Sequence, residues 1–271
     1  DTWVFALPGV PAEMIPMLED SVIPFLGGGD SAVVSRLLRT WGESESAIGE
    51  LLGDLYDAST NPTIAFLASG GEIKIRITAK SATRDGAWAL IAPMEATVRE
   101  RLGNRIFGVD DDTVEVVILR MLEERGWTLG TAESATGGLI AGRITSVPGA
   151  SRVFRGSIVS YATEVKESLL GVPADVIAEH GVVSEPVAIA MAGGARRQLG
   201  ADVVVAVTGS AGPDPQERPV GTVVVSVATP DGAQVRTLTL PGDRERVRTF
   251  ASTAALHLLR MSLQGVEWWS R

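Results

Sequence analysis

The first candidate for a catalytic residue is a serine that precedes a predicted helix. Ser134 lies in the segment Thr131–Gly138, TAESATGG, between a predicted strand and a predicted helix. The N-terminus of a helix offers free backbone N–H groups and a partial positive charge. A serine nucleophile at this point could have its oxyanion bound by those N–H groups. The alternative is that Ser134 or Thr136 only caps the helix and that Gly137 and Gly138 only form a tight turn.

A serine nucleophile needs a base, and Lys166 is the simplest candidate. The chain has no cysteine and only two histidines, which excludes a thiolate nucleophile and a multi-histidine metal site. We interpret His180 as a helix C-terminal residue and His257 as a core or boundary residue. No Gly-x-Ser-x-Gly motif is present. A desolvated lysine can be neutral near pH 7, and Lys166 follows a predicted strand that ends near Tyr161. The alternative is an ordinary surface lysine.

A third loop is rich in glycine. The segment Thr208–Asp214, TGSAGPD, follows a predicted buried strand. Such a loop lets a ligand phosphate approach backbone amides, and the alternative is an ordinary turn. All three loops are predicted to lie at the C-terminal ends of strands, where α/β folds place their ligands.

The elements that must position these loops alternate between helices and strands. Asp243 is a predicted N-cap and Gly200 a predicted helix end. The strand 202–208 is almost entirely valine and alanine, which is typical of a strand covered on both faces. The other predicted strands are 128–132, 153–160, 222–228 and 234–240, and the predicted helices are 113–125, 136–146, 162–170, 174–179, 185–198 and 244–263. Residues 110–271 are therefore predicted to form a three-layer α/β sandwich.

The preceding residues, 31–109, have a different, α+β pattern. The predicted strands are 33–40, 63–68 and 73–77, and the predicted helices are 44–56, capped by Ser44, and 85–102, which Pro93 should kink or split. The acidic run 110–112 favours the start of a helix. Before this segment, residues 2–7 are read as a buried strand, 12–25 as a helix and 27–30, GGGD, as a flexible linker.

Length and charge limit the classes of partner. The chain has 271 residues, a net charge of −9 and 45% hydrophobic residues, which indicates a folded protein of about two domains. The negative charge argues against broad binding to nucleic acid or to an anionic membrane. No apolar run reaches the roughly 18 residues of a membrane span, and no basic segment precedes an apolar one near the first residue. We therefore expect a cytoplasmic protein.

Six separated segments carry a family resemblance. In chain order they are 133–138, 161–166, 181–186, 208–213, 219–223 and 242–244. They resemble the C-terminal domain of the CinA family, a nicotinamide mononucleotide deamidase, over roughly residues 110–264. Residues 31–109 are similar to the family's KH-like domain. Residues 1–30 look like a remnant of its MoaB-like N-terminal domain, and we expect this chain to lack that domain's ADP-ribose pyrophosphatase activity.

The resemblance implies a set of site residues. Ser134 would be the nucleophile, Lys166 the base and Tyr161 a nearby tyrosine, and a carboxamide would be hydrolysed to nicotinic acid mononucleotide and ammonia without a metal or a cofactor. The oxyanion would face amides near Thr136 and Gly137, and the phosphate would lie against the glycine-rich loop or Arg244. The expected substrate-binding residues are Glu133, Thr136, Gly137, Gly138, Thr208, Gly209, Ser210, Ala211, Gly212 and Arg244.

Departures from the family pattern leave alternatives open. Ser210 and the stretch 214–217 differ from many relatives and could alter the pocket rim. Residues 31–109 contain no Gly-x-x-Gly and equal numbers of acidic and basic residues, which argues for a spacer or dimerisation role and against nucleic-acid binding. We expect a homodimer that binds a small-molecule pyridine nucleotide, no nucleic acid and no membrane. The alternatives are a catalytically silent nucleotide-binding or scaffold protein and, less compatible with the charge, a DNA-uptake accessory.

Overall fold

The computed structural model describes residues 2–27, 31–69 and 71–268, so most of the predicted linker 27–30 lies outside the described residues. The chain divides into two compact units. The first contains residues 1–37, 44–67 and 75–103, and the second contains 38–43, 68–74 and 104–271. Within the described ranges, no helix combines the length and the apolar character needed to span a bilayer.

The first half of the chain contains a four-stranded sheet. Its elements are α1 (Pro11–Met17), a π-helical turn (Leu18–Val22), α2 (Ile23–Leu26), β1 (Ala32–Trp41), α3 (Glu45–Ala58), β2 (Thr63–Ser69), β3 (Glu72–Ser81), α4 (Arg84–Leu102) and β4 (Ile106–Val109). The strand order is β2-β3-β1-β4. The predicted strands and helices of residues 31–109 are all present, and Ser44 caps α3 as expected. The short β4 was not predicted; it pairs antiparallel with the end of β1.

The prediction of a buried strand at residues 2–7 is wrong. These residues have no regular secondary structure, and Trp3 and Val4 are mostly exposed. The rings of Trp3 and Phe5 instead pack edge-on against Phe25, at 5.0 and 5.4 Å between centroids. A strand needs a hydrogen-bonded neighbour for its backbone, and no described strand pairs with this segment.

Pro93 does not split α4. The helix runs without a break from Arg84 to Leu102 and is capped by Thr83, whose side chain accepts a hydrogen bond from the Gly86 N–H. Pro93 lies on the exposed side of this helix, whereas Ile91 and Val98 are fully buried. A proline removes one helical hydrogen bond, and the packing of the opposite face maintains the helix across that gap.

The second half of the chain contains a five-stranded sheet. The elements are α5 (Val114–Arg125), β5 (Leu129–Glu133), α6 (Leu139–Thr145), β6 (Phe154–Val159), α7 (Thr163–Leu170), α8 (Ala174–His180), α9 (Glu185–Leu199), β7 (Val203–Gly209), β8 (Thr222–Thr229), β9 (Gly232–Thr239) and α10 (Arg244–Leu263). Their bounds lie within three residues of the predicted ones. Thr113, rather than the acidic run before it, caps α5.

The sheet is covered on both faces, as the valine-rich sequence of β7 predicts. Val203, Val205 and Val207 pack into a cluster with α5 and α10. Val204 and Ala206 pack on the other face, in a cluster with α9. Because successive side chains of a strand point to opposite faces, one all-aliphatic strand serves both layers of helices. The predicted three-layer α/β sandwich is confirmed.

The strand order brings the three polar loops together. The order is β6-β5-β7-β8-β9, and β6, β5 and β7 run parallel. Glu133, the last residue of β5, lies opposite Val159 of β6 and Val207 of β7. The C-terminal ends of the three strands are therefore level, and the loops that follow them meet at one edge of the sheet.

His257 is a core residue, in agreement with the sequence interpretation. Its side chain is fully buried on α10 and stacks on Trp41 at 4.5 Å between ring centroids. The Nε2 atom lies 3.0 Å from Oε1 of Glu72. Burial lowers the pKa of His257 from 6.5 to about 4, against the opposing effect of the Glu72 carboxylate. The uncharged imidazole is therefore part of the hydrophobic core near pH 7.

Candidate active site

A cavity of about 250 Å³ opens at the edge where the three loops meet. Ser134, Tyr161 and Lys166 all line it. Five of the predicted binding residues line it as well: Thr208, Gly209, Ala211, Gly212 and Arg244. The fold thus places residues from five separate parts of the chain around one space.

Ser134 and Lys166 are in direct contact at the base of this cavity. The Nζ atom of Lys166 lies 3.2 Å from Oγ of Ser134. The same Nζ donates to the backbone carbonyl oxygens of Ser160, at 2.8 Å, and Tyr161, at 3.2 Å. Three neighbours therefore surround the amine, and two of them are carbonyl groups, which can only accept hydrogen bonds.

The three neighbours match the three N–H bonds of an ammonium. A neutral amine in the same position would donate to the two carbonyls and direct its lone pair at the Ser134 hydroxyl. Lys166 is 2% exposed, and this burial lowers the pKa of its amine, while the negative charge of Glu164 has a smaller, opposite effect. Lys166 is therefore a buried lysine, not the surface lysine of the alternative interpretation.

Tyr161 contacts the pair through its backbone rather than through its ring. Its carbonyl accepts the Lys166 hydrogen bond, while its phenol oxygen accepts one from Nη2 of Arg244 at 2.8 Å. Nη1 of Arg244 donates to the carbonyl of Gly212 at 2.6 Å. Arg244 therefore connects the loop after β6 with the loop after β7. Its guanidinium has no carboxylate partner among the described residues.

Glu133 does not line the cavity, although we expected it to contact substrate. Its side chain is fully buried, and its carboxylate accepts hydrogen bonds from the backbone N–H groups of Gly138, Ile140 and Ala141 at 2.9–3.1 Å. These are N–H groups of the first turn of α6, which begins at Leu139 rather than near residue 136. The carboxylate thus occupies the helix N-terminus that we expected to bind an oxyanion.

The amides left for an oxyanion are those directly after the serine. The Ser134 N–H donates to Val207 and the Gly137 N–H donates to the Ser134 carbonyl. In the described part of the chain, the N–H groups of Ala135 and Thr136 have no acceptor. Ala135 lines the cavity, whereas Thr136 is fully buried and does not, so the candidate oxyanion donor is the N–H of Ala135 rather than an amide near Thr136 and Gly137.

The remaining predicted binding residues have other environments. Thr136 and Ser210 are fully buried and do not line the cavity. The Thr136 hydroxyl has no partner among the described atoms, whereas the Ser210 hydroxyl accepts from the Gln216 N–H at 3.3 Å. Gly137 and Gly138 do not line the cavity either, and both have positive φ, 61° and 95°. They shape the turn between the serine and α6, since glycine adopts such angles readily.

Six cavity residues were not predicted as site residues: Ala135, Ala162, Thr163, Val182, Asp214 and Gln216. Asp214 and Gln216 belong to the stretch whose departure from the family pattern was expected to alter the pocket rim, and both are exposed there. Val182 comes from the loop before α9, which belongs to the resemblance segment 181–186 but contains no predicted site residue. No cluster of three metal-ligating side chains occurs within residues 2–27, 31–69 and 71–268.

Comparisons with known proteins agree with this architecture. Residues 111–263 match the CinA C-terminal domain, and residues 35–108 match the KH domain of damage-inducible protein CinA. The chain is 52% identical over 270 residues to a CinA-like protein of Frankia casuarinae, covering 97% of this chain and 62% of the relative. It is 41% identical over 260 residues to a CinA-like protein of Dictyoglomus turgidum, covering 95% and 63%. The chain thus spans less than two thirds of the length of these relatives.

Solved structures resemble the second half of the chain. A crystal structure of a CinA superfamily protein from Klebsiella pneumoniae has 31% sequence identity and a TM-score of 0.55, covering 56% of this chain and 96% of the other. A superfamily protein from Escherichia coli has 31% identity and a TM-score of 0.52, covering 56% and 92%.

Proposed function

Because the chain belongs to the CinA family, we propose that it hydrolyses the carboxamide of nicotinamide mononucleotide to nicotinic acid mononucleotide and ammonia. Ser134 would be the nucleophile and Lys166 the base. The observation that carries the proposal is the 3.2 Å contact between Nζ of Lys166 and Oγ of Ser134 at the base of the cavity. A buried amine beside a hydroxyl is one of the simplest devices for activating a serine.

The first chemical step is proton transfer from the serine. The lone pair of neutral Lys166 accepts the proton of the Ser134 hydroxyl as Oγ attacks the carboxamide carbon. The carbonyls of Ser160 and Tyr161 hold the two N–H bonds of the amine, so that its lone pair remains directed at Oγ. The negative charge that develops on the substrate oxygen is stabilised by the N–H group of Ala135, which lines the cavity.

The second step expels ammonia. Protonated Lys166 donates its extra proton to the nitrogen of the tetrahedral intermediate, the C–N bond breaks, and ammonia leaves an acyl ester on Ser134. A water molecule then attacks the ester, and Lys166 accepts the proton of this water and returns it to Oγ. The overall reaction consumes one water for each amide and restores both side chains.

The charges of the cavity are compatible with a nucleotide. Arg244 supplies a guanidinium at the cavity wall, which Asp214 also lines, and it forms no ion pair among the described residues. A guanidinium binds phosphate through two N–H groups at once. Ala211 and Gly212 provide backbone close by. We propose Arg244 as the phosphate ligand, because its side chain already reaches across the cavity from Tyr161 to Gly212.

The test is ammonia release by the purified chain on a panel of pyridine nucleotides and nucleosides with and without the amide. We expect turnover of nicotinamide mononucleotide, and a loss of about three or more orders of magnitude in Ser134→Ala and Lys166→Met. Lys166→Met keeps a similar volume and removes a buried amine, so its melting temperature should not fall.

Two results would contradict the proposal. Retained turnover in either folded variant would refute the assigned roles. A thermal shift with nicotinamide mononucleotide but no ammonia from any amide would favour the catalytically silent nucleotide-binding protein instead.

A further inference from the structure

The carboxylate next to the proposed nucleophile is held by five hydrogen-bond donors. Oε2 of Glu133 accepts from the N–H groups of Gly138 and Ile140, at 2.9 and 3.1 Å. Oε1 accepts from the Ala141 N–H at 2.9 Å and from two hydroxyls, those of Thr131 and Ser157, at 3.3 and 3.4 Å. No lysine or arginine pairs with this carboxylate in the described ranges, so the first turn of α6 supplies its main stabilisation.

This environment accepts a carboxylate and rejects a carboxamide. Both oxygens of Glu133 face backbone N–H groups, which can only donate. A glutamine in the same position would direct its NH₂ group at one of these donors, whichever way its amide is turned. These hydrogen bonds therefore require both acceptor oxygens of a carboxylate at position 133, and a side chain that only matches its size does not satisfy them.

The same carboxylate determines the path of the loop that carries Ser134. Glu133 ends β5 and reaches over the loop to bind the N–H of Gly138, so that residues 134–137 are closed between its backbone and its side chain. From the other side, Arg248 of α10 donates to the carbonyls of Ala135 and Thr136, at 3.1 and 2.9 Å. The N–H groups of Ala135 and Thr136 have no acceptor among the described residues, and Ala135 lines the cavity next to Ser134.

We infer that Glu133 is a positioning residue, which holds the loop 134–138 so that Ser134 and the amide of Ala135 are correctly aligned for acyl transfer. The inference rests on the proposed role of Ser134 as nucleophile. Glu133 does not touch substrate. It acts through the turn between β5 and α6, and a shift of about 1 Å in that turn can slow a reaction on the order of a hundredfold.

The test compares Glu133→Gln with Asp202→Asn. Asp202 is a suitable control because its carboxylate also holds backbone, accepting from the N–H and the hydroxyl of Thr128 at 2.8 and 2.7 Å, but at the start of β5 and β7, the opposite edge of the sheet. We expect Glu133→Gln to lower kcat about 10- to 100-fold with KM within about twofold. Asp202→Asn should retain the kcat of the wild type. The pH of half-maximal activity should not move in Glu133→Gln, since the surroundings of Lys166 are unchanged.

A second readout separates this inference from the choice of substrate. The rate at which a fluorophosphonate labels Ser134 should fall in Glu133→Gln by a factor similar to that in kcat, with Ser134→Ala as the blank. This rate can be measured even if no pyridine nucleotide is turned over, so a wrong substrate would not obscure the result.

Three outcomes would overturn the inference. They are a kcat and labelling rate of Glu133→Gln within about twofold of the wild type, a loss confined to KM, or an equal loss in Asp202→Asn. If Glu133→Gln does not fold, Ser157→Ala decides, because it removes one donor and leaves the three backbone hydrogen bonds. We expect its labelling rate to fall about 2- to 5-fold, and an unchanged rate would overturn the inference.

Discussion

At the scale of the residue, the candidate site is defined by the surroundings of two buried ionisable side chains, Lys166 and Glu133. Burial of Lys166 lowers the pKa of its amine, which favours the neutral form that a base requires. Glu133 is adjacent to Ser134 in the chain, but its carboxylate is buried among five hydrogen-bond donors and does not line the cavity. The two buried ionisable side chains near Ser134 therefore have opposite surroundings, with hydrogen-bond acceptors around Lys166 and donors around Glu133.

The pH dependence of activity tests the environment of Lys166. The base is active when neutral, so activity should rise with pH through a pKa lower than the ordinary lysine value of 10.5. The Glu164 carboxylate raises this pKa, and Glu164→Gln should therefore shift the acidic limb of the kcat/KM profile to lower pH by a few tenths of a unit. Glu167→Gln, an exposed carboxylate on the same helix, is the matched control and should leave the limb in place. A shift to higher pH in Glu164→Gln would contradict the assignment of the base.

At the scale of the element, helix α9 supports the helix that carries Lys166. A Cβ atom added at Gly194 of α9 would lie 1.9 Å from the carbonyl oxygen of Leu170, the last residue of α7. One added at the neighbouring Gly193 would meet only the flexible end of Arg197, at 3.6 Å. The absence of a side chain at Gly194 thus allows the C-terminal end of α7 to lie directly against α9.

These adjacent glycines provide a matched pair of variants. Gly194→Ala should destabilise the protein by about 1–3 kcal/mol, because the backbone of α7 must move away, and should lower kcat by displacing Lys166. Gly193→Ala should change stability by no more than about 0.5 kcal/mol. Urea unfolding and ammonia release measure both effects. Equal behaviour of the two variants would show that α9 does not position α7.

At the scale of the whole molecule, the boundaries of the family matches differ from the boundaries of the two compact units. The match to the KH domain covers residues 35–108, but part of that range, 38–43 and 68–74, belongs to the second compact unit. Trp41 and Glu72 come from these parts and contact His257 of α10. The second unit therefore includes residues from the range 31–109, which the family resemblance assigned to the KH-like domain. The expected domain boundaries, homodimer and lack of nucleic-acid binding remain predictions.

The stability of the whole molecule should depend on the charge of His257. The pKa of His257 is about 4 in the folded protein and 6.5 without the fold, so the unfolded state binds the proton more tightly and the free energy of unfolding decreases as pH falls from about 6.5 to 4. His257→Gln keeps a polar partner for Glu72 but cannot titrate. Between pH 7 and pH 4, the wild type should lose about 3 kcal/mol more than this variant. Denaturant unfolding at several pH values measures the difference, and parallel curves for the two proteins would contradict the assignment.

The sequence by itself determined the element types, since hydrophobic periodicity and capping residues act locally: β7, the Asp243 cap and the helix 244–263 are all present as predicted. It also determined that the candidate loops follow strands. Only the tertiary structure decided what each loop residue contacts. The order β6-β5-β7 brings Lys166 to Ser134, and Glu133 turns into the helix N-terminus instead of the cavity. The buried strand expected at residues 2–7 did not form for the same reason, because pairing and burial depend on partners distant in the chain.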